Sequence, residues 1–181
     1  NRDIAWTHTV STAARFTLFE LELNPENPMQ YRYGNEFRDI EEMAVLVPGA
    51  GEDSAPREHS IYMTHFGPVI ASEGLAWTAE KAFAIRDAVV DNNATVPTYF
   101  ALQTAQSVAD VEATISHQGT FFVNTIAADR HGNAFYGDLS ATPNLDAETI
   151  SKCRKAVEGM PGRVVILDGA DPGCDWKVTP G

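Results

Sequence analysis

Five histidines, two cysteines and twenty-five carboxylates are the side chains in this 181-residue sequence with the most chemistry to offer, and their spacing narrows that chemistry sharply. His8, His59, His65, His117 and His131 include no pair at the i, i+4 spacing that sets two imidazoles on one helical face for a metal ion. A metal site is not indicated. No serine sits in a G-x-S-x-G elbow, and no carboxylate pair has a telling catalytic spacing. Gly49-Ala50-Gly51 is followed by no lysine and lies outside a strand-to-helix context, so it does not cradle a phosphate. His131 reads as a turn residue and His117 as a helix-end residue, both on the surface. His8 falls within the alternating stretch Ile4-Ala5-Trp6-Thr7-His8-Thr9-Val10-Ser11, where a core or cleft-wall histidine fits better than a general base. Cys153 and Cys174 lack C-x-x-C spacing and histidine neighbours, which speaks against zinc. Two readings stay open for them: a disulfide closing a loop of about 20 residues, worth roughly 3 kcal/mol, or two unrelated buried thiols.

The elements that hold these residues are mostly strands in the first half. After the opening strand, residues 15–23 carry apolar side chains on both faces at first, as a strand inside a core does, and the Asn24-Pro25-Glu26-Asn27-Pro28 stretch breaks it. Residues 29–33 and 36–40 flank Gly34-Asn35 as a hairpin, and 43–47 form a further strand. Residues 48–56 make a solvated loop with two acidic residues. Residues 59–66 alternate again until Gly67-Pro68 ends or bends them. From about Thr12 to Ile70 the chain therefore reads as an antiparallel β unit. Beyond it, the Ala-rich run to Val90 suits a buried strand or a helical turn.

Helical spacing begins near Pro97, with Thr95 or Pro97 at the N-terminal end. A second helix starts at Ser107, which caps it while Asp110 completes a capping box; Val108, Val111 and Ile115 share its apolar face, and Gly119 is expected to stop it. Residues 120–127 and 133–139 form the clearest hairpin, turning at Asp129-Arg130-His131-Gly132-Asn133. A short helix over 147–157 and a β-branched strand over 163–167 complete the list. The residues alone thus give an α+β protein and no reaction.

Composition excludes several partners. With 44% hydrophobic and 21% charged residues the chain is globular in character, and a net charge of −12 argues against nucleic acid and anionic membrane surfaces, which both need clustered Lys and Arg. No apolar run approaches the ~20 residues of a membrane-spanning helix, and no signal peptide pattern is present.

Several collinear stretches carry a resemblance: Asn1-Arg2-Asp3-Ile4-Ala5-Trp6-Thr7-His8-Thr9-Val10, Phe16-Thr17-Leu18-Phe19-Glu20-Leu21, Tyr62-Met63-Thr64-His65-Phe66-Gly67-Pro68, Ile85-Arg86-Asp87-Ala88, Gln106-Ser107-Val108-Ala109-Asp110 and Val123-Asn124-Thr125-Ile126-Ala127-Ala128-Asp129-Arg130-His131-Gly132-Asn133-Ala134. Together they resemble the penicillin acylase family, and within it the branch of acyl-homoserine lactone acylases and aculeacin A acylase. That family consists of N-terminal-nucleophile hydrolases, so the resemblance implies an α+β fold: part of an αββα core over residues 1–11 and 72–181, with a small antiparallel β unit inserted over 12–71. It also implies a precursor cut into two chains, in which a serine at the start of the larger one attacks the amide with its own α-amine as base. That serine is expected upstream of Asn1 and the oxyanion-hole asparagine downstream of Gly181. The 181 residues would then be an inactive middle piece, partnered by the remainder of the larger chain and by the smaller chain.

Residue by residue, the resemblance places the family's backbone oxyanion donor at Val10 and walls of the acyl pocket at Ile85, Tyr99, Phe122 and Val123. Tyr99 and Phe122 stand where relatives carry larger indole side chains, so the pocket is expected to differ in depth or width. Calcium-binding carboxylates of penicillin G-type acylases are missing from Ser11-Thr12-Ala13-Ala14-Arg15-Phe16-Thr17, so no calcium is expected there, and no cofactor. Resemblance to periplasmic and secreted bacterial enzymes implies the same location here and a Cys153–Cys174 disulfide. The substrate class would be an acylated amine such as an acyl-homoserine lactone or a lipopeptide. A rival from a different class is a non-catalytic β-rich module that binds an apolar ligand.

Overall fold

A computed structural model describes residues 2–51, 54–120, 122–162 and 164–177. Asn1, Phe121, Arg163 and the acidic pair Glu52 and Asp53, all used in the sequence reading, lie outside the described residues. The chain divides into two compact units: residues 1–15 with 88–143, and residues 16–87 with 144–181. The strand over 81–87 pairs along its own full length with residues 16–22, and residues 166–168 return to that same sheet.

The first unit is a three-stranded antiparallel sheet carrying two helices. Its strands are β1 (Ile4–Val10), β9 (Val123–Asp129) and β10 (Ala134–Gly137), in the order β1-β9-β10. The register sets Ile4, Trp6, His8 and Val10 opposite Asp129, Ala127, Thr125 and Val123 on one face. Helices α1 (Thr95–Thr104) and α2 (Val108–Ile115) cover that face, where Ile4 and Ala127 pack with Leu102, Ala105, Val108, Val111 and Ile115. The Trp6 indole N–H donates to the Leu102 carbonyl at 3.1 Å and ties β1 to α1. The other face carries Thr7, Thr9, Asn124, Ile126 and Tyr136, as period-two alternation requires.

Both bonds of the expected capping box are present: Asp110 N–H donates to the Ser107 hydroxyl, and Ser107 N–H to the Asp110 carboxylate. Gly119 has a different task from stopping α2. The helix ends at Ile115 and the left-handed residue is Gln118, with φ of 56°, whereas a Cβ on Gly119 would stand 2.0 Å from Thr98 Oγ1 and 2.7 Å from the Ala94 carbonyl. Glycine is needed there for close approach to α1. Strand β9 begins at Val123 and not at 120, because Phe122 adopts a left-handed φ of 49°.

The second unit is an eight-stranded sheet. Strands β2 (Phe16–Asn24), β3 (Asn27–Tyr33), β4 (Glu36–Asp39), β5 (Glu41–Val47), β6 (Arg57–Thr64), β7 (Gly67–Ile70) and β8 (Lys81–Asp87) run in the order β4-β3-β2-β8-β7-β6-β5, and β11 (Ile166–Asp168) pairs with β2 in parallel. Asn24 to Asn27 form a tight hairpin instead of a break, since Asn24 Oδ1 accepts the Glu26 N–H at 3.0 Å. The Ala-rich run resolves as strand β8. Both faces of β2 are buried, Phe19, Leu21 and Leu23 in one cluster and Leu18 in another with Leu75, Phe83 and Ile166. Helix α3 (Ala147–Cys153) and the 3₁₀ turn Pro172–Cys174 lie beside the first cluster, joined by the Cys153–Cys174 disulfide with Cα atoms 5.5 Å apart. No helix among the described residues is long and apolar enough to cross a membrane.

Candidate oxyanion strand

The C-terminal end of β1 carries one group of the first unit's polar hydrogen bonds. In an antiparallel ladder, residues that exchange backbone bonds with the partner alternate with residues whose N–H and C=O point away from it. Arg130 N–H donates to the Asp3 carbonyl and Ser11 N–H to the Phe122 carbonyl, at 3.0 and 2.9 Å, which fixes the odd-numbered residues of β1 as the bonded ones. Val10, paired with Val123, therefore turns its N–H away from β9. Among the described residues β1 is the edge of its sheet, so no strand lies on that side. The Val10 side chain is 77% exposed.

This strand end is held from several directions. Buried Ser11 donates its hydroxyl to Asp138, and its Oγ accepts the Ala13 N–H at 2.9 Å. Burial pushes the Asp138 carboxyl up, but hydrogen bonds from Ser11 and Ser140 outweigh it and leave its pKa below the usual carboxylate range. Phe122 supplies the carbonyl that receives Ser11 while its own backbone sits in the left-handed region, a conformation that costs a bulky residue on the order of 1–3 kcal/mol and collects at functional sites. The Arg15 guanidinium lies 4.4 Å from the Phe122 ring centroid.

His8 lies on the helix-covered face, one inward position before Val10. Its ring is 5.1 Å from Trp6 and 5.7 Å from Tyr99 by centroids, and the Tyr99 hydroxyl reaches its Nδ1 at 3.5 Å. Burial lowers the His8 pKa and favours the neutral ring. Its Nε2 is buried without a partner among the described residues, as is the hydroxyl of Thr125 directly across the ladder. His8 is thus a half-buried ring with one unmet hydrogen-bonding atom, within the core-or-cleft-wall reading of the alternation but not fully satisfied.

Val10, Phe122 and Val123 come together at this end of the sheet, and Tyr99 on α1 joins them through His8. Ile85 belongs to the second unit, on β8 opposite Leu18, packed against the Leu18, Leu75, Phe83 and Ile166 cluster. Sequence reasoning passed over Asn124, Ser11 and Asp138. The signal available for Asn124 was one amide interrupting an otherwise apolar strand. Among the described residues no three His, Cys, Asp or Glu side chains cluster to hold a metal ion.

Comparison with known proteins places this geometry. The acyl-homoserine lactone acylase PvdQ of Pseudomonas fluorescens Pf-5 is 34% identical over 184 residues, covering 99% of this chain and 23% of that protein. Aculeacin-A acylase of Actinoplanes utahensis is 33% identical over 186 residues, again covering 99% of this chain and 23% of its own length. The chain therefore spans about a quarter of the relatives it matches. A thermostable penicillin G acylase from Alcaligenes faecalis superimposes with a TM-score of 0.73 over 97% of this chain and 29% of its own, at 20% identity, which shows a shared fold. The sequence model of the penicillin amidase family matches residues 1–181, and the chain belongs to that family.

Proposed function

We propose that this chain is part of the larger subunit of an N-acyl amide hydrolase, and that it contributes the main-chain oxyanion donor and part of the acyl pocket. The observation that carries the reading is the edge position of Val10, whose N–H is turned away from β9 at the end of a strand held by Ser11, Asp138 and a strained Phe122. A donor fixed before the reaction stabilises charge that develops on the scissile carbonyl oxygen, and one such donor is worth about 3 kcal/mol. In this reading an N-terminal serine of the processed protein attacks the amide. The amine leaves, and water releases the acid from the acyl-enzyme.

The Val10 N–H needs no particular side chain, which suits valine. Tyr99, Phe122 and Val123 offer apolar surface in the same unit, and Ile85, in the second unit, is assigned an acyl-wall role by resemblance alone. Each substrate methylene buried there gains about 0.8 kcal/mol. The names of the relatives support acyl-homoserine lactones or acylated peptides as the substrate class, and the disulfide supports a periplasmic or secreted location. The 181 residues alone would not turn over substrate. The reading is tested in the full-length processed protein with amides of graded acyl length: activity that climbs with length and then falls is expected, and a flat profile removes the pocket assignment.

A further inference from the structure

Asn124 stands on the outward face of β9, directly opposite Thr9, and both ends of its side chain are committed. Its Nδ2 donates to Thr9 Oγ1 at 3.2 Å and to the Val10 carbonyl at 3.1 Å, while its Oδ1 accepts the Tyr136 hydroxyl at 2.9 Å. Thr9 is one of the ladder-bonded residues, so its carbonyl points to β9 and the Val10 N–H of the same peptide points the opposite way. The next carbonyl, that of Val10, also faces the open edge, where the ladder supplies no partner. The Asn124 amide donates to it as well as to the Thr9 hydroxyl.

Val10 and Val123 form the last register pair of the β1–β9 ladder, where backbone order normally weakens. The Val10–Ser11 peptide, through its carbonyl, and the Thr9 hydroxyl are thus held by one side chain, itself braced from β10. We infer that Asn124, held by Tyr136, is a positioning residue for oxyanion stabilisation: by holding the Val10 carbonyl on one side and the Thr9 side chain on the other, it keeps the backbone at Val10 in the orientation that aims the Val10 N–H at the reacting carbonyl. This inference rests on the reading of Val10 as donor. It is a demand of geometry, since a donor displaced by about 1 Å can lose a hundredfold in rate.

The test uses the full-length processed protein and a fatty-acyl p-nitroanilide, with kcat, KM and thermal midpoint measured for Asn124→Ala, Tyr136→Phe, their double mutant and Val10→Pro. Proline removes the N–H at issue, at an edge position where strands accept it, and its thermal midpoint shows whether the fixed φ disturbs the strand. Asn124→Ala is expected to lower kcat about 10- to 100-fold with KM within about twofold, approaching the loss from deleting the donor itself. Tyr136→Phe, which removes one exposed hydroxyl and leaves folding untouched, should lower kcat severalfold and add nothing in the Asn124→Ala background. Unchanged kcat in Asn124→Ala and Tyr136→Phe beside an inactive Val10→Pro overturns the positioning role and leaves the donor reading intact. An active Val10→Pro overturns both. A rise in KM at constant kcat makes Asn124 a substrate contact and also overturns the inference. If Asn124→Ala fails to fold, Tyr136→Phe decides by the same kcat criterion.

Discussion

Single residues here are governed by what surrounds them more than by their type. His65 shows this in the second unit: the Tyr31 hydroxyl meets its Nδ1 at 2.7 Å, the Tyr33 ring lies edge-on at 4.5 Å, and Asp175 stands 3.8 Å from its Nε2. Burial is the largest influence on its pKa; Arg38 and Arg86 add to the lowering, and Asp175 opposes it, so the pKa falls to about 4. Asp175 has limited pull because Arg86 already pairs with it. The ring is neutral in the fold, while an unfolded chain takes up a proton near 6.5. The contribution of His65 is therefore complete above about pH 6.5 and is lost as pH falls toward 4. Denaturant midpoints measured from pH 7 to 4.5 should fall less steeply in His65→Gln than in the parent; parallel curves would contradict the neutral state of His65. Asp129 shifts in the same direction, although here the fold favours the charged form. Hydrogen bonds from Asn133, Val108 and His131 outweigh desolvation and hold its pKa at about 2, so its support of the turn between β9 and β10 is complete above the ordinary value of 3.8 and is lost as pH falls toward 2.

At the scale of elements, α2 and its flanks make the sharpest predictions. Ser107→Ala removes the hydroxyl that receives Asp110 N–H and should cost about 1 kcal/mol of stability, read as a lower thermal midpoint. Gly119→Ala drives a methyl against Thr98 Oγ1 and the Ala94 carbonyl, and is expected to destabilise by roughly 1–3 kcal/mol. Adding Thr98→Ala should recover part of that loss, because the nearest obstruction is the Thr98 side chain. A glycine whose only task were to end α2 would show no such rescue. The capping box was legible in sequence because it is a local pattern of four residues. The purpose of Gly119 was not, because its constraint comes from α1, some twenty positions earlier in the chain.

For the whole molecule, the disulfide and the sheet of the second unit join segments far apart in sequence. Cys153 and Cys174 are both buried within the Phe19, Leu21 and Tyr31 cluster. Replacing both with serine, or reducing the bond, should lower stability by roughly 3 kcal/mol, measured by denaturant unfolding with and without reductant. The sequence by itself determined the α+β composition, the hairpin at Gly34-Asn35, the start of α2, the alternation of β1 and the family, since each rests on short-range periodicity, turn chemistry or collinear motifs. Tertiary structure alone decided that β11 returns in parallel to β2, that β8 is a strand, that Phe122 leaves the ladder before β9 begins, and that Asn124 and Tyr136 converge on Val10. The physical reason is one of range. Strand pairing and side-chain hydrogen bonds between β1 and β9 join residues more than a hundred positions apart, and no local pattern encodes which partner a strand edge or an amide will find.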